Sequence, residues 1–108
     1  MALSVLPCFT PDASTATSAG PGASAIALPG TPANDTTCLV ANLGQMPVAV
    51  QFFATNPNAA TLAACTMGTG VVILPGQSLA LGFGANRYMS CMTGTTGTSS
   101  TVSVTTGN

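Results

Sequence analysis

Large apolar side chains recur at every second position along most of this chain, in short runs separated by Pro, Gly, Asn and Thr. Residues 78–83, SLALGF, carry Leu79, Leu81 and Phe83 in phase. Residues 48–53, VAVQFF, put Val48, Val50 and Phe52 on one side and Ala49, Gln51 and Phe53 on the other. A period of two is the mark of a half-buried strand. The same reading predicts strands over 25–28 (AIAL), 36–42 (TTCLVAN, with Cys38 and Val40 in phase), 70–74 (GVVIL), 87–92 (RYMSCM) and 101–105 (TVSVT, with Val102 and Val104 inward). Breaks fall between them. LGQMP turns the chain after residue 42, and GAN turns it after Phe83. Pro75 and Gly76 suit the two central positions of a type II turn, where glycine supplies the positive φ. Residues 54–61 read as a loop, since Asn56 before Pro57 avoids the helical region. LAAC, residues 62–65, is either one helical turn or a short strand.

Seven or eight short strands at a spacing of roughly 8–12 residues predict an all-β fold, an antiparallel β-sandwich or jelly roll. Its expected core is Val40, Val48, Val50, Phe52, Val72, Leu74, Leu79, Leu81, Phe83, Met89, Val102 and Val104. Each contributes roughly 1.5–3 kcal/mol when fully buried. Residues 10–24, TPDASTATSAGPGAS, have no apolar period and read as an extended arm or flexible loop. The expected organisation is therefore an N-terminal strand and flexible arm over 1–24 and a β-sandwich domain over 25–108.

Composition sharpens this picture. Of 108 residues only 3% are charged, Asp12, Asp35 and Arg87, where soluble domains average about 25%. The hydrophobic share, 46%, is ordinary, so the chain lacks the low hydrophobicity and high charge of disordered segments. A net charge of −1 offers no field for phosphate or anionic lipid, and no nucleic-acid partner and no membrane partner is expected. The longest aliphatic run is VVIL, 71–74, far short of the about 20 residues of a spanning helix. The start, MALSVLPCF, has no basic segment and is interrupted by Pro7, so no export signal is expected. A surface so poor in charge is prone to associate.

Candidate chemistry is sparse. The chain has no His, which removes Ser–His and Cys–His dyads. It has no Lys for a phosphate loop, and GFGANR, which faintly resembles one, lies between two strands rather than at a helix start. Asp12 and Asp35 sit in loop-like Pro/Ser/Thr stretches and read as solvated turn residues rather than a catalytic pair. The sequence therefore predicts no enzyme, with no catalytic, cofactor-binding or metal residues and no cofactor. Cys8, Cys38, Cys65 and Cys91 form no CxxC and have no His beside them. Buried free thiols are the favoured reading, ahead of two disulfides and well ahead of a metal. Arg87 is exposed by default and an interface residue by the alternative; a bridge to Asp35 is a third option.

Several stretches together carry a resemblance. Asn42-Leu43-Gly44 ends one strand, PVAVQF (47–52) forms the next, LPG (74–76) turns into an apolar strand, and a Gly/Thr-rich loop leads to VSVTTG (102–107). This arrangement, over about residues 25–108, resembles the small β-sandwich head decoration or cement proteins of tailed bacteriophages. The resemblance implies a structural virion protein assembled in the host cytoplasm. Its partners would be the major capsid protein and copies of itself in a homo-oligomer. It also implies an N-terminal segment laid on a neighbour. Low charge and four cysteines depart from the pattern, and a phage tail or head–tail connector subunit is the alternative position.

The residue-level reading agrees with this. Ser78, Ala80 and Gly82 alternate with the apolar positions and make a low face that buries against protein without desolvating charge. A neighbouring subunit or the chain's own loops would cover it. Ser78, Ala80, Gly82, Arg87 and Tyr88 are the candidate interface residues. A reading of another class, an ice- or carbohydrate-binding β-protein, rests on the Thr-rich tail TGTTGTSSTVSVTTG. There the Thr residues are expected in a loop without a fixed period, and Tyr88 is the only Tyr.

Overall fold

A computed structural model describes residues 9–30 and 35–108. Among them are eight strands: β1 (Pro11–Ala19), β2 (Ser24–Ala27), β3 (Thr37–Asn42), β4 (Val48–Phe53), β5 (Val71–Ile73), β6 (Ser78–Gly82), β7 (Tyr88–Met92) and β8 (Ser100–Gly107). One helix, α1 (Ala59–Ala63), lies between β4 and β5. The strands form two four-stranded sheets, β1-β8-β3-β6 and β2-β7-β4-β5, in which every neighbour pair is antiparallel. The predicted all-β class is present as two antiparallel sheets.

The pairing is nested. β1 pairs with β8, β2 with β7, β3 with β6 and β4 with β5. Two further pairs, β3 with β8 and β4 with β7, join these into sheets.

The inner faces of the two sheets share one core. From the first sheet come Ala19, Cys38, Val40, Val102 and Val104, and from the second Val48, Val50, Ile73, Met89 and Cys91, with Leu28 and Phe83 closing the ends. Phe52, Leu79 and Leu81 pack against it at partial burial. The Phe52 and Phe83 rings meet with centroids 6.2 Å apart, within the usual range for aromatic pairs. Val dominates the inward positions because a β-branched side chain packs well on a pleated surface.

Four expectations change. Val72 and Leu74, assigned to the core, are exposed at 40% and 54%, and Ile73 is buried in their place. The run 71–74 is apolar at every position, so alternation carries no phase there. The register with β4, Ile73 opposite Val48 and Val72 opposite Ala49, decides which side faces in. Residues 11–19, read as part of an arm or loop, are the strand β1, paired with β8 along its length. Ala, Ser and Thr at nearly every position give no contrast between faces, and backbone pairing alone makes the strand. Residues 1–8 of that arm lie outside the described residues. The loop over 54–61 holds the start of α1. Asn58 caps it, its side chain accepting from the Thr61 N–H at 2.8 Å. LAAC thus resolves as the end of that helical turn. Asp35, read as a solvated turn residue, is buried at 3% exposure.

A single buried amide ties the turns together. Asn42, 1% exposed at the end of β3, donates from Nδ2 to the Met46 carbonyl at 2.7 Å and to the Ile73 carbonyl at 2.9 Å. Its Oδ1 accepts from the Gly44 N–H at 3.1 Å and from the Ser100 hydroxyl at 2.6 Å. Its backbone also donates to Gln77 and accepts from Gly76. Both amide donors and both acceptor sites are used. Gly44 is required here, because a Cβ would collide with the Ser100 hydroxyl and stand 2.8 Å from Ser100 Cα. Asn42→Ala strands two buried carbonyls, an N–H and a hydroxyl. It is expected to lower unfolding free energy by about 2–4 kcal/mol, because each unsatisfied buried polar group costs roughly 1–3 kcal/mol; urea denaturation measures the loss.

Candidate assembly surface

The outward positions of β1-β8-β3-β6 form one uncharged face. Strand register sets its rows. Ser14 of β1 lies opposite Thr105 of β8, which lies opposite Leu39 of β3, which lies opposite Ala80 of β6. The next row is Ala16, Ser103, Ala41 and Ser78. At its ends stand Ser18 beside Thr101, and Gly107 beside Thr37 and Gly82. These side chains alternate with the buried Cys38, Val40, Val102 and Val104, which fixes their outward direction. No row carries a charge. Leu39, 40% exposed, is the one large apolar side chain among them.

The candidate interface residues divide between surfaces. Ser78, Ala80 and Gly82 lie together on this face, all exposed. Tyr88 is on the other sheet, opposite Ala27 and Phe53, and points away from the core because Met89 beside it points in. Arg87 precedes Tyr88 in the turn after β6. Its guanidinium donates to the Asn86 carbonyl at 2.9 Å and to the Gly84 carbonyl at 3.4 Å. Sequence reasoning missed the contributions of β1, β8 and β3 to the face, since their outward Ser, Thr and Ala carry no signal until register places them side by side.

The outer face of the second sheet is partly covered. Ala49 and Ser90 point outward, yet are 4% and 2% exposed. Cys65, Thr66 and Gly70, from the segment that follows α1, lie over them. Beside this cover an open groove of about 460 Å³ runs between α1 and the β1–β2 connection, lined by Ala59, Leu62, Ala63, Ala23 and Met92 among others.

No family model, curated protein or solved structure matches this chain.

One further cluster was separate in the sequence. Asp12 Oδ2, Asp35 Oδ2 and Thr106 Oγ1 converge on Gly30: a Cβ there would stand 2.5, 2.7 and 2.9 Å from them. The Thr106 hydroxyl donates to the Pro29 carbonyl at 2.7 Å. Both carboxylates of the chain thus meet at one end of the core, brought there by β1 and by the residues leading into β3. Gly30 has φ +89°, so it combines the left-handed region with a site that admits no side chain. Among the described residues no group of three His, Cys, Asp or Glu side chains is placed to hold a metal ion, and no helix is long and apolar enough to cross a membrane.

Cys38, Cys65 and Cys91 are buried free thiols; Cys8 lies outside the described residues. Cys38 and Cys91 fill inward positions as small apolar side chains. Burial pushes both thiols up to about 11, since desolvation penalises the thiolate. A hydrogen bond from Ser24 opposes this at Cys91. The Cys65 Sγ–H donates to the Thr61 carbonyl at 3.5 Å.

Two outcomes are expected. Gly30→Ala lowers stability by more than the about 1 kcal/mol usual for Ala at a positive φ, read from denaturant midpoints. For Cys38 and Cys91 the folded chain holds protons that the unfolded chain releases above its ordinary thiol range. Their contribution to stability is complete at neutral pH, declines as pH rises from about 9, and levels near 11. Thermal melts of the Cys38→Ala/Cys91→Ala variant across that window should show a shallower alkaline decline than the parent chain.

Proposed function

We propose that this protein is a structural virion subunit of a tailed phage, one that decorates or cements the capsid shell through protein–protein contacts. The major capsid protein and copies of itself are its partners, and it performs no catalysis. The observation that carries this reading is the uncharged face spread over all four strands of β1-β8-β3-β6. A face of Ser, Thr, Ala and Gly around Leu39 is covered by another protein without desolvating an ion, which is the costly step in burying polar surface. Interface cores are depleted in charge for that reason.

The architecture supports the same reading. The nested pairs and the sheet orders β1-β8-β3-β6 and β2-β7-β4-β5 support reading the two sheets as a jelly roll, an architecture used by capsid and lectin domains. Fold alone does not assign function. The near-zero charge, the bare sheet face and the resemblance of residues 25–108 to decoration proteins add to it. A tail or head–tail connector subunit would use the same face, and imaging of the native particle distinguishes the positions.

One observation favours a second reading. Thr101, Ser103 and Thr105, on the strand that the sequence predicts over 101–105, form an outward rank on β8, flanked by Ser14 and Ser18 of β1. A flat rank of hydroxyls suits an ice or carbohydrate surface. Tyr88, the single Tyr of the chain, lies on the opposite sheet and gives this face no aromatic platform. Thermal hysteresis or glycan-array binding lost in Ser103→Lys would establish that reading over the first.

The expected result is co-sedimentation of the purified protein with phage shells lacking it, abolished in Leu39→Glu while the thermal midpoint is kept. A folded protein that stays monomeric at high concentration and never sediments with shells would remove the virion assignment.

A further inference from the structure

We propose that two copies of this chain join edge to edge through β1, antiparallel about a two-fold axis at Ala16. Their β1-β8-β3-β6 sheets would then continue into one another as a single eight-stranded sheet.

The argument starts from backbone chemistry. Among the described residues β1 is an end strand, paired with β8 on one side. Every second residue of such a strand turns its N–H and C=O away from its own sheet, a template for another strand. Proteins usually blunt such an edge with Lys, Pro, a bulge or shortness. Here those devices stand only at the first residues: Pro11, Asp12 and a register irregularity between Pro11 and Ala13. From Ala13 to Ala19 the strand has no charge, Pro or Gly, and its register with β8 is unbroken. The other sheet-end strands, β2, β5 and β6, are four, three and five residues long, against nine for β1.

The sequence then selects the partner and the register. Residues 13–19, Ala-Ser-Thr-Ala-Thr-Ser-Ala, read identically in both directions. A two-fold contact places residue i opposite j and j opposite i. With the axis at Ala16, Ala16 meets Ala16, Thr15 meets Thr17, Ser14 meets Ser18 and Ala13 meets Ala19. Every pair is matched in size and chemistry. Ser14, Ala16 and Ser18 face outward in each copy, so outward meets outward and the uncharged face runs on across the junction. A slip of one residue sets outward positions opposite inward ones. Asp12 falls opposite Gly20 of the other copy, so no like charges meet.

This pairing gives the self-association of the proposed function its edge, and rests on that reading only for the presence of a second copy. The test is the native mass of the full chain by sedimentation equilibrium, together with four variants. Opposed residues in an antiparallel pair stand about 4.5–5.5 Å apart at Cα, inside the about 4.4–6.8 Å a disulfide spans. Ala16→Cys is therefore expected to give a disulfide-linked dimer under mild oxidation, above the background of the unsubstituted chain. Ser14→Cys alone is not expected to link, and Ser14→Cys/Ser18→Cys is. Ala16→Lys sets two ammonium groups face to face and is expected to yield a monomer with an unchanged melting midpoint. Three results would each overturn the pairing: a parent chain monomeric at all concentrations, an undiminished oligomer in Ala16→Lys, or Ser14→Cys linking as well as Ala16→Cys. A β1-linked dimer that binds no shell leaves the pairing standing and removes the virion reading. Shell binding by a strictly monomeric chain does the reverse.

Discussion

The side chain of Asn42 holds this fold in register. It stands where β3 ends, and its hydrogen bonds reach the β3–β4 turn, the end of β5 and the start of β8. Those segments come from both sheets and lie as far as 58 residues away in the chain. Hydrophobic burial brings the two sheets together but is non-directional, and a core of Val, Ile and Met tolerates small slides. A buried amide with four specific partners does not, because any shift leaves a buried polar group unmatched. The rows of the outward face inherit their alignment from that constraint, through β3 and β8.

The two outer faces are treated differently. The segment around α1 lies over Ala49 and Ser90, so one sheet has part of its outer surface buried by the chain itself. The other sheet presents Ser, Thr, Ala and Gly to solvent, with Leu39 at its centre. The asymmetry is chemical as well as steric. The chain's two carboxylates are gathered at Gly30 and its one guanidinium is turned onto the carbonyls of Gly84 and Asn86. None of the three stands in the rows of the open face. A surface of this kind has no ion to desolvate when it is covered.

The buried thiols fit the same economy. Cys38 sits opposite Leu81 and Thr106, and Cys91 opposite Val50 and Ser24. Both serve as small packing groups whose burial keeps them protonated. The chemistry of the interior is thus that of a packed core, and the distinctive features of the molecule are on its surface and along its edges.

Much of the fold was legible in the sequence wherever large and small residues alternate. β4, β6, β7 and the inner positions of β8 follow from Val48, Leu79, Leu81, Met89, Val102 and Val104 in phase, and so does the all-β class. The dearth of charge was equally plain, and with it the expectation of a surface suited to contact. Phase failed at 71–74, where four adjacent apolar residues offer no contrast. Recognition of β1 failed where seven residues of Ala, Ser and Thr offer none either. Only tertiary structure decided that Ile73 rather than Val72 faces the core, that Ala16, Ser103, Ala41 and Ser78 lie in neighbouring places, and that Asp12 and Asp35 meet at Gly30. The reason is physical. Alternation along a chain is a local property set by the pleat, whereas facing, adjacency and burial depend on pairing with strands tens of residues away.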